Sequence, residues 1–237
     1  MAQTLKNHRI YLTLRTLYIC AFIICLLLFH YHPEIDISLA KWVKQNNAHF
    51  IKHITAANYI INLAVYVAII VLGASLIICI IRYIIKPTHS RLHSLYIFTY
   101  YNAVMLVCWL FAIHYAIKRI FARARPYQII ELGGDKAFSE AWALSDQCLN
   151  GDCSFVSGHA AAGFLLYAAI FTTHNITKKW LYFLSGSLLG IFCGTIRILM
   201  NMHFLSDVIF ANFITMLFCY LAFIAISAPF KQIHTQP

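Results

Sequence analysis

Three short blocks of this sequence carry residue types suited to handling a phosphate. The first contains Lys118 and Arg125, followed by Pro126. Their seven-residue separation stacks the two cations on one side of a helix, two turns apart, which Pro126 would end. Arg presents a planar fork and Lys a point charge, so the pair suits a phosphate dianion. Arg119 and Arg123 read as a basic collar that snorkels at a span end, an explanation open to the whole block. The second block is Ser157, Gly158 and His159, at the head of an apolar run. A helix beginning there points unpaired backbone N–H groups at an anion. Ser157 can cap it and donate its hydroxyl, Gly158 lets an anion approach the backbone, and His159 can donate a proton. The plain alternative is a capped span with a satisfied histidine. The third block holds Arg197, His203 and Asp207. At i and i+4, His203 and Asp207 share a helix face if a helix starts here. A carboxylate on one ring nitrogen leaves the other free to attack, and Arg197 adds a third phosphate-facing cation. A surface ion pair is the plain alternative.

The elements that must position these blocks are membrane helices. Of 237 residues, 61% are hydrophobic and 11% charged, against about 25% charged in soluble domains. Mean hydropathy is +0.72. Disordered, collagen-like, coiled-coil and ordinary soluble enzyme classes are excluded. A net charge of +10 suits anionic headgroups or an anionic substrate, and no nucleic-acid module is visible. Six stretches free of Asp, Glu, Lys and Arg, at about 16–33, 60–81, 95–117, 155–173, 180–196 and 208–230, approach or reach the roughly 20 residues a span needs. The expected fold is all-α and integral to the membrane: one domain over 1–237, a six-transmembrane helix bundle with an interfacial amphipathic helix. The first stretch follows Lys6, Arg9 and Arg15 and lacks a small-residue cleavage site after it, so it reads as an uncleaved span. With the N-terminus inside, the inner and outer segments tie at nine basic residues each. The inner ones sit in short loops and tails, which favours both termini inside. All three blocks then share the outer face.

Two outer connections are long. In 31–59, Leu39, Trp42, Val43, Phe50, Ile51 and Ile54 mark one helical stripe, with Lys41, Lys44, Gln45 and Lys52 off it. Such a helix lies either on the outer leaflet or on the protein's own top. The second connection, 118–154, is polar, contains Gly133, Gly134 and Gly151 and reads as an irregular loop. Cys148 and Cys153 lie within it and can form a disulfide if it faces an oxidising compartment. Cys20, Cys25, Cys79, Cys108, Cys193 and Cys219 lie in apolar spans as buried thiols.

Taken in order, Lys118-x6-Arg125-Pro126, Ser157-Gly158-His159 and Arg197-x5-His203-x3-Asp207 resemble the type 2 phosphatidic acid phosphatase superfamily. The motifs cover the chain from the third span onward, and the six-span layout covers the rest. Val156 stands where the family usually has Pro, and Ile196 where it usually has Ser; the latter puts one phosphate contact in doubt. The resemblance implies His203 as nucleophile, Asp207 orienting it, and His159 as general acid. It implies Lys118, Arg125, Ser157, Gly158 and Arg197 as phosphate ligands, with a phosphohistidine intermediate and no cofactor. No metal is expected: a His-Glu-x-x-His pattern is missing from the sequence, and three cations at the site would repel one. The segment 153–161 is similar to the lipid A 1-phosphatase branch of bacterial inner-membrane enzymes. The implied substrate is therefore the 1-phosphate of lipid A, at the periplasmic face. Alternatives are a phosphatidylglycerophosphate or undecaprenyl pyrophosphate phosphatase, or a non-enzymatic lipid-binding or transport module.

Overall fold

The computed structural model describes residues 2–85, 88–148 and 153–234. Among them the chain is helical and has no β-strand, only a lone bridge between Ile129 and Lys136. Helix α1 (Ala2–Tyr31) breaks at Pro33, and α2 (Glu34–Ile85) follows. The axes of Arg15–Tyr31 and Glu34–Asn46 differ by 76°. Helix α2 corrects one expectation: the amphipathic stretch and the second apolar stretch form one continuous helix. The cause is visible in the sequence, which has no Pro or Gly between Pro33 and Gly73. The described part of the stripe does not share one buried face: Val43 turns inward and Leu39 is half-buried. Asp36, Ala40 and Val43 are buried, while Trp42 is 51% exposed. Ala40 packs with Ala124, Ile129, Leu132 and Phe204, and the Lys44 ammonium donates to the Leu132 carbonyl at 2.6 Å. The helix start is thus a cover for the protein's own loop. The side chains of Phe50, Ile51, Lys52 and Ile54 lie outside the described residues.

Helix α3 (Thr88–Asn102) runs on into a π-helical stretch, Ala103–Ile117, and a last α-turn, α4 (Lys118–Phe121). There the helix stops. Ala122 takes a left-handed conformation, φ +40°, and its N–H donates to the Lys118 carbonyl at 2.9 Å. This overturns the expected helix face shared by Lys118 and Arg125. Arg125 instead sits in extended backbone, as a residue before proline prefers.

The connection that follows is irregular, as expected, but firmly held. Trp142 meets Phe22, Phe121, Phe155 and Phe210 edge-on, at ring distances from 5.0 to 6.1 Å. Cys148 and Cys153 are joined as a disulfide in the structure, with Cα atoms 5.5 Å apart.

Helix α5 (Gly158–Phe164) continues through a 3-10 turn (Leu165–Tyr167) into α6 (Ala168–Thr172); α7 (Ile176–Leu199) and α8 (Leu205–His234) complete the bundle. Helices α5 and α7 approach closely enough that a Cβ on Gly163 would lie 2.6 Å from the Gly190 Cα. The main core is aromatic and centres on Tyr100, Trp109, Phe155, Phe164, Tyr167 and Phe210. Among the described residues, Leu95–Gln128, Ile176–Leu199 and Leu205–Ser227 are long and apolar enough to cross a membrane. They correspond to the third, fifth and sixth expected spans. Arg15–Tyr31 passes that test only with its bent partner, and Gly158–Thr172 is shorter. Many side chains of 60–81 lie outside the described residues.

Candidate active site

A cavity of about 190 Å³ is lined by His114, Lys118, Arg125, Gly158, His159, Arg197 and His203. These residues come from five places along the chain. Lys118 opens the last turn, α4, of the helix that runs from α3, and Arg125 returns from the loop. Gly158 and His159 open α5, Arg197 closes α7, and His203 lies in the turn before α8. The turn is fixed locally: the Met200 N–H donates to the Ile196 carbonyl, and Met202 N–H to Arg197, around a left-handed Asn201 with φ +54°. A larger cavity, about 290 Å³, lies among Phe164, Tyr167, Phe183, Ile191 and Val208. It is apolar and carries no cation for a phosphate.

Ser157 and Asp207 are fully buried behind the cavity and do not line it. The Ser157 hydroxyl accepts from the Ala160 N–H at 3.5 Å, a helix cap. The Ser157 N–H donates to the Asp207 carbonyl at 3.1 Å, tying the second block to the third. His203 is 2% exposed. Its Nδ1 stands 3.5 Å from Asp207 Oδ2, close but long for a hydrogen bond. That oxygen already accepts from the Ser154 hydroxyl at 2.5 Å and the Phe204 N–H at 2.8 Å. Because His203 precedes the helix, the two side chains meet through a capped turn, not by helical stacking.

Arg123 is the second correction. It is not part of an exposed collar but 1% exposed. Its Nη1 donates to Asp207 Oδ1 at 2.7 Å and to the Ser206 hydroxyl at 2.8 Å, and its Nη2 donates to Asp36 Oδ2 at 2.9 Å. Its Nε donates to the Ser139 carbonyl at 2.8 Å, and its guanidinium lies 4.2 Å from the Phe204 ring centre. The left-handed Ala122 turns this arginine into the protein. Arg119 does remain exposed, over the Tyr115 ring.

The lining cations have these partners among the described residues. The Lys118 ammonium donates to the Cys153 carbonyl. Arg125 donates to the Met202 carbonyl at 3.4 Å. Arg197 donates to the Asn58 side-chain carbonyl at 2.9 Å, and His159 Nε2 pairs with Asn62 Oδ1 at 2.8 Å. Asn58 and Asn62 had escaped the sequence reading; two amides at i and i+4 in an apolar run were the available signal. Burial holds the His203 imidazole well below its ordinary pKa; Asp207 pulls the other way, and Lys118 and Arg125 reinforce the lowering. The site therefore combines three cations, three imidazoles and the N-terminus of α5 around one small space, with an Asp carboxylate behind one imidazole. Among the described residues, no cluster of three or more His, Cys, Asp or Glu is arranged to hold a metal.

Among the described residues, an all-helical fold with membrane-length apolar helices and a cavity lined by three cations and three histidines defines a class: helical membrane proteins with a cationic, histidine-bearing pocket. The PAP2 superfamily pattern matches residues 93–231, more than half of the chain, and the protein belongs to that superfamily. It is also similar to the lipid A 4′-phosphatase of Francisella tularensis subsp. novicida (strain U112). The two are 34% identical over 100 residues, which are 42% of this chain and 45% of that protein. The chain thus matches less than half the length of this curated relative. No solved structure matches it.

Proposed function

We propose that this chain is a membrane lipid phosphatase that cleaves a phosphomonoester through a phosphohistidine. The observation that carries the reading is the convergence of Lys118, Arg125, His159, Arg197 and His203 on one cavity. His203 Nε2 attacks phosphorus as the bond to the leaving oxygen breaks, and His159 passes a proton to that oxygen. Asp207 balances the positive imidazole. Water then attacks the phosphohistidine with His159 as base, releasing phosphate and restoring His203. Lys118, Arg125, Arg197 and the Gly158 N–H hold the non-bridging oxygens, where phosphoryl transfer needs fixed positive charge, and Ser157 contributes from behind the cavity by capping α5. The three side-chain cations supply the charge that a metal supplies in other phosphatases.

For the substrate, two observations point to lipid A and differ in position. The segment around Val156 suggests the 1-phosphate. The relative named as a 4′-phosphatase suggests the 4′-phosphate, and this likeness extends over 100 residues, so the 4′-phosphate is placed first. The reading includes six spans, both termini inside, and a site open to the periplasmic face of a bacterial inner membrane. It is tested by mass spectrometry of lipid A from cells expressing the chain or its His203→Ala variant. Loss of one phosphate with the wild type only, and in EDTA-treated membranes as well, is expected, and the fragment that loses it identifies the position. Identical profiles for wild type and variant would refute the enzyme reading. Loss of activity in EDTA, restored by added metal, would refute the metal-free route.

A further inference from the structure

The cavity contains one group that the three blocks do not include. His114 lines it, and its Nε2 is buried with no hydrogen-bond partner among the described residues. A buried polar atom left unmade is costly, so it calls for a physical explanation. The ring is not loosely placed. Trp109, five residues earlier, meets it edge-on at 4.9 Å, and five is the spacing at which π-helical backbone bonds recur. The Trp109 indole N–H also donates to the Gly158 carbonyl at 2.9 Å, so the same helix face clamps the turn that opens α5. His114 Nε2 lies only 2.2 Å from where a Cβ on Gly158 would stand. The missing side chain at Gly158 therefore makes room for this imidazole, beside the end of α5 that would meet an anion.

We propose that His114 is a further phosphate ligand, its Nε2–H donating to a non-bridging oxygen of the bound phosphate. The inference rests on the phosphatase reading and adds a residue to it. The donor needs no charge: a neutral imidazole keeps one N–H, and an anion supplies the acceptor that the protein does not. Lys118 and Arg125 meet the phosphate as cations, whereas His114 meets it as a neutral, directional donor set by packing.

Orthovanadate, a phosphate-shaped oxyanion, is the probe, used on the full chain in detergent micelles turning over lipid A. Three variants separate hydrogen bonding from packing. His114→Gln carries an N–H out to the position of Nε2, His114→Asn has the same amide but falls short, and His114→Phe keeps the ring without a donor. The expected result is inhibition weakened about tenfold or more in the Asn and Phe variants, with inhibition close to wild type in the Gln variant. If the Phe variant fails to fold, the Gln and Asn pair decides. Vanadate inhibition equal to wild type in both amide variants would overturn the proposal, and so would equal weakening in both, which marks a packing role. Wild-type protein that releases phosphate while the His114 series behaves in either of these ways leaves the phosphatase reading intact. A wild type that releases none refutes that reading itself.

Discussion

The proposed attack of His203 on phosphorus needs an unprotonated ring, and its surroundings favour that state. The ring lies in the Met200–Phe204 turn, outside the spanning helices. Burial is the main influence, lowering its pKa well below the ordinary 6.5; Asp207 on α8 opposes this, and Lys118 and Arg125, from α4 and the loop after it, add to the lowering. The sign follows directly. In the free enzyme the imidazole stays neutral as pH falls past 6.5, so the acid limb of kcat/KM due to His203 is expected below pH 6.5. Stability moves the same way. The unfolded chain takes up a proton on this histidine near pH 6.5 while the folded one does not. The contribution is therefore full above that pH and declines below it, until the folded pKa is reached. A kcat/KM profile in micelles checks the first statement. A His203 limb centred at or above pH 6.5 would show that the ring is not shielded as the geometry requires.

Elements matter because they decide which charges meet. Four arginine or lysine residues lie within 118–125, and nothing in their spacing marks Arg123 as the buried one. The choice is made by a single left-handed residue, Ala122, and by Asp36 at the start of α2, both remote from the motif logic. The three-block pattern made Lys118, Arg125, Gly158, His159, Arg197 and His203 legible, because phosphate chemistry dictates those residue types. It left out Asn58, Asn62, His114 and Asp36, whose roles arise only when α2 and the π-helical stretch pack against α5 and α7. A period of 3.6 cannot reveal a π-helical face, which is why Trp109 and His114 did not read as neighbours. The Arg123 network has a measurable weight. Its single charge serves two carboxylates, Asp36 and Asp207, each 2% exposed or less. Arg123→Met strands both, and removing one partner of a buried ion pair costs roughly 3–5 kcal/mol. The expected outcome is a marked drop in thermal unfolding temperature in micelles, partly restored by Arg123→Lys, which keeps charge but loses the fork. Unfolding of Arg123→Met at the wild-type temperature would mean the network carries no such weight.

At the scale of the whole molecule, sidedness links the chemistry to the compartment. Lys118, the α5 N-terminus and the turn before α8 meet at one end of the bundle, and the loop with Cys148 and Cys153 covers the same end. Sequence charge counts tie at nine and nine, so they orient the bundle only through loop length. The disulfide offers a stronger reporter, because thiols persist unpaired in a reducing cytoplasm and pair in an oxidising periplasm. It also touches the site: the Cys153 carbonyl accepts from the Lys118 ammonium, so opening the ring frees the backbone that steadies this cation. Two outcomes are expected. In intact cells, a membrane-impermeant maleimide labels Cys148 and Cys153 only after a reductant is added, with Cys148→Ser/Cys153→Ser as the unlabelled control. Reduction also raises KM for the lipid substrate several-fold through the loosened Lys118, and leaves the double serine variant unchanged because its ring is already open. Labelling that needs no reductant but appears only after the cells are permeabilised would place this end of the bundle in the cytoplasm. The phosphate to be removed would then have to be presented from the inner leaflet.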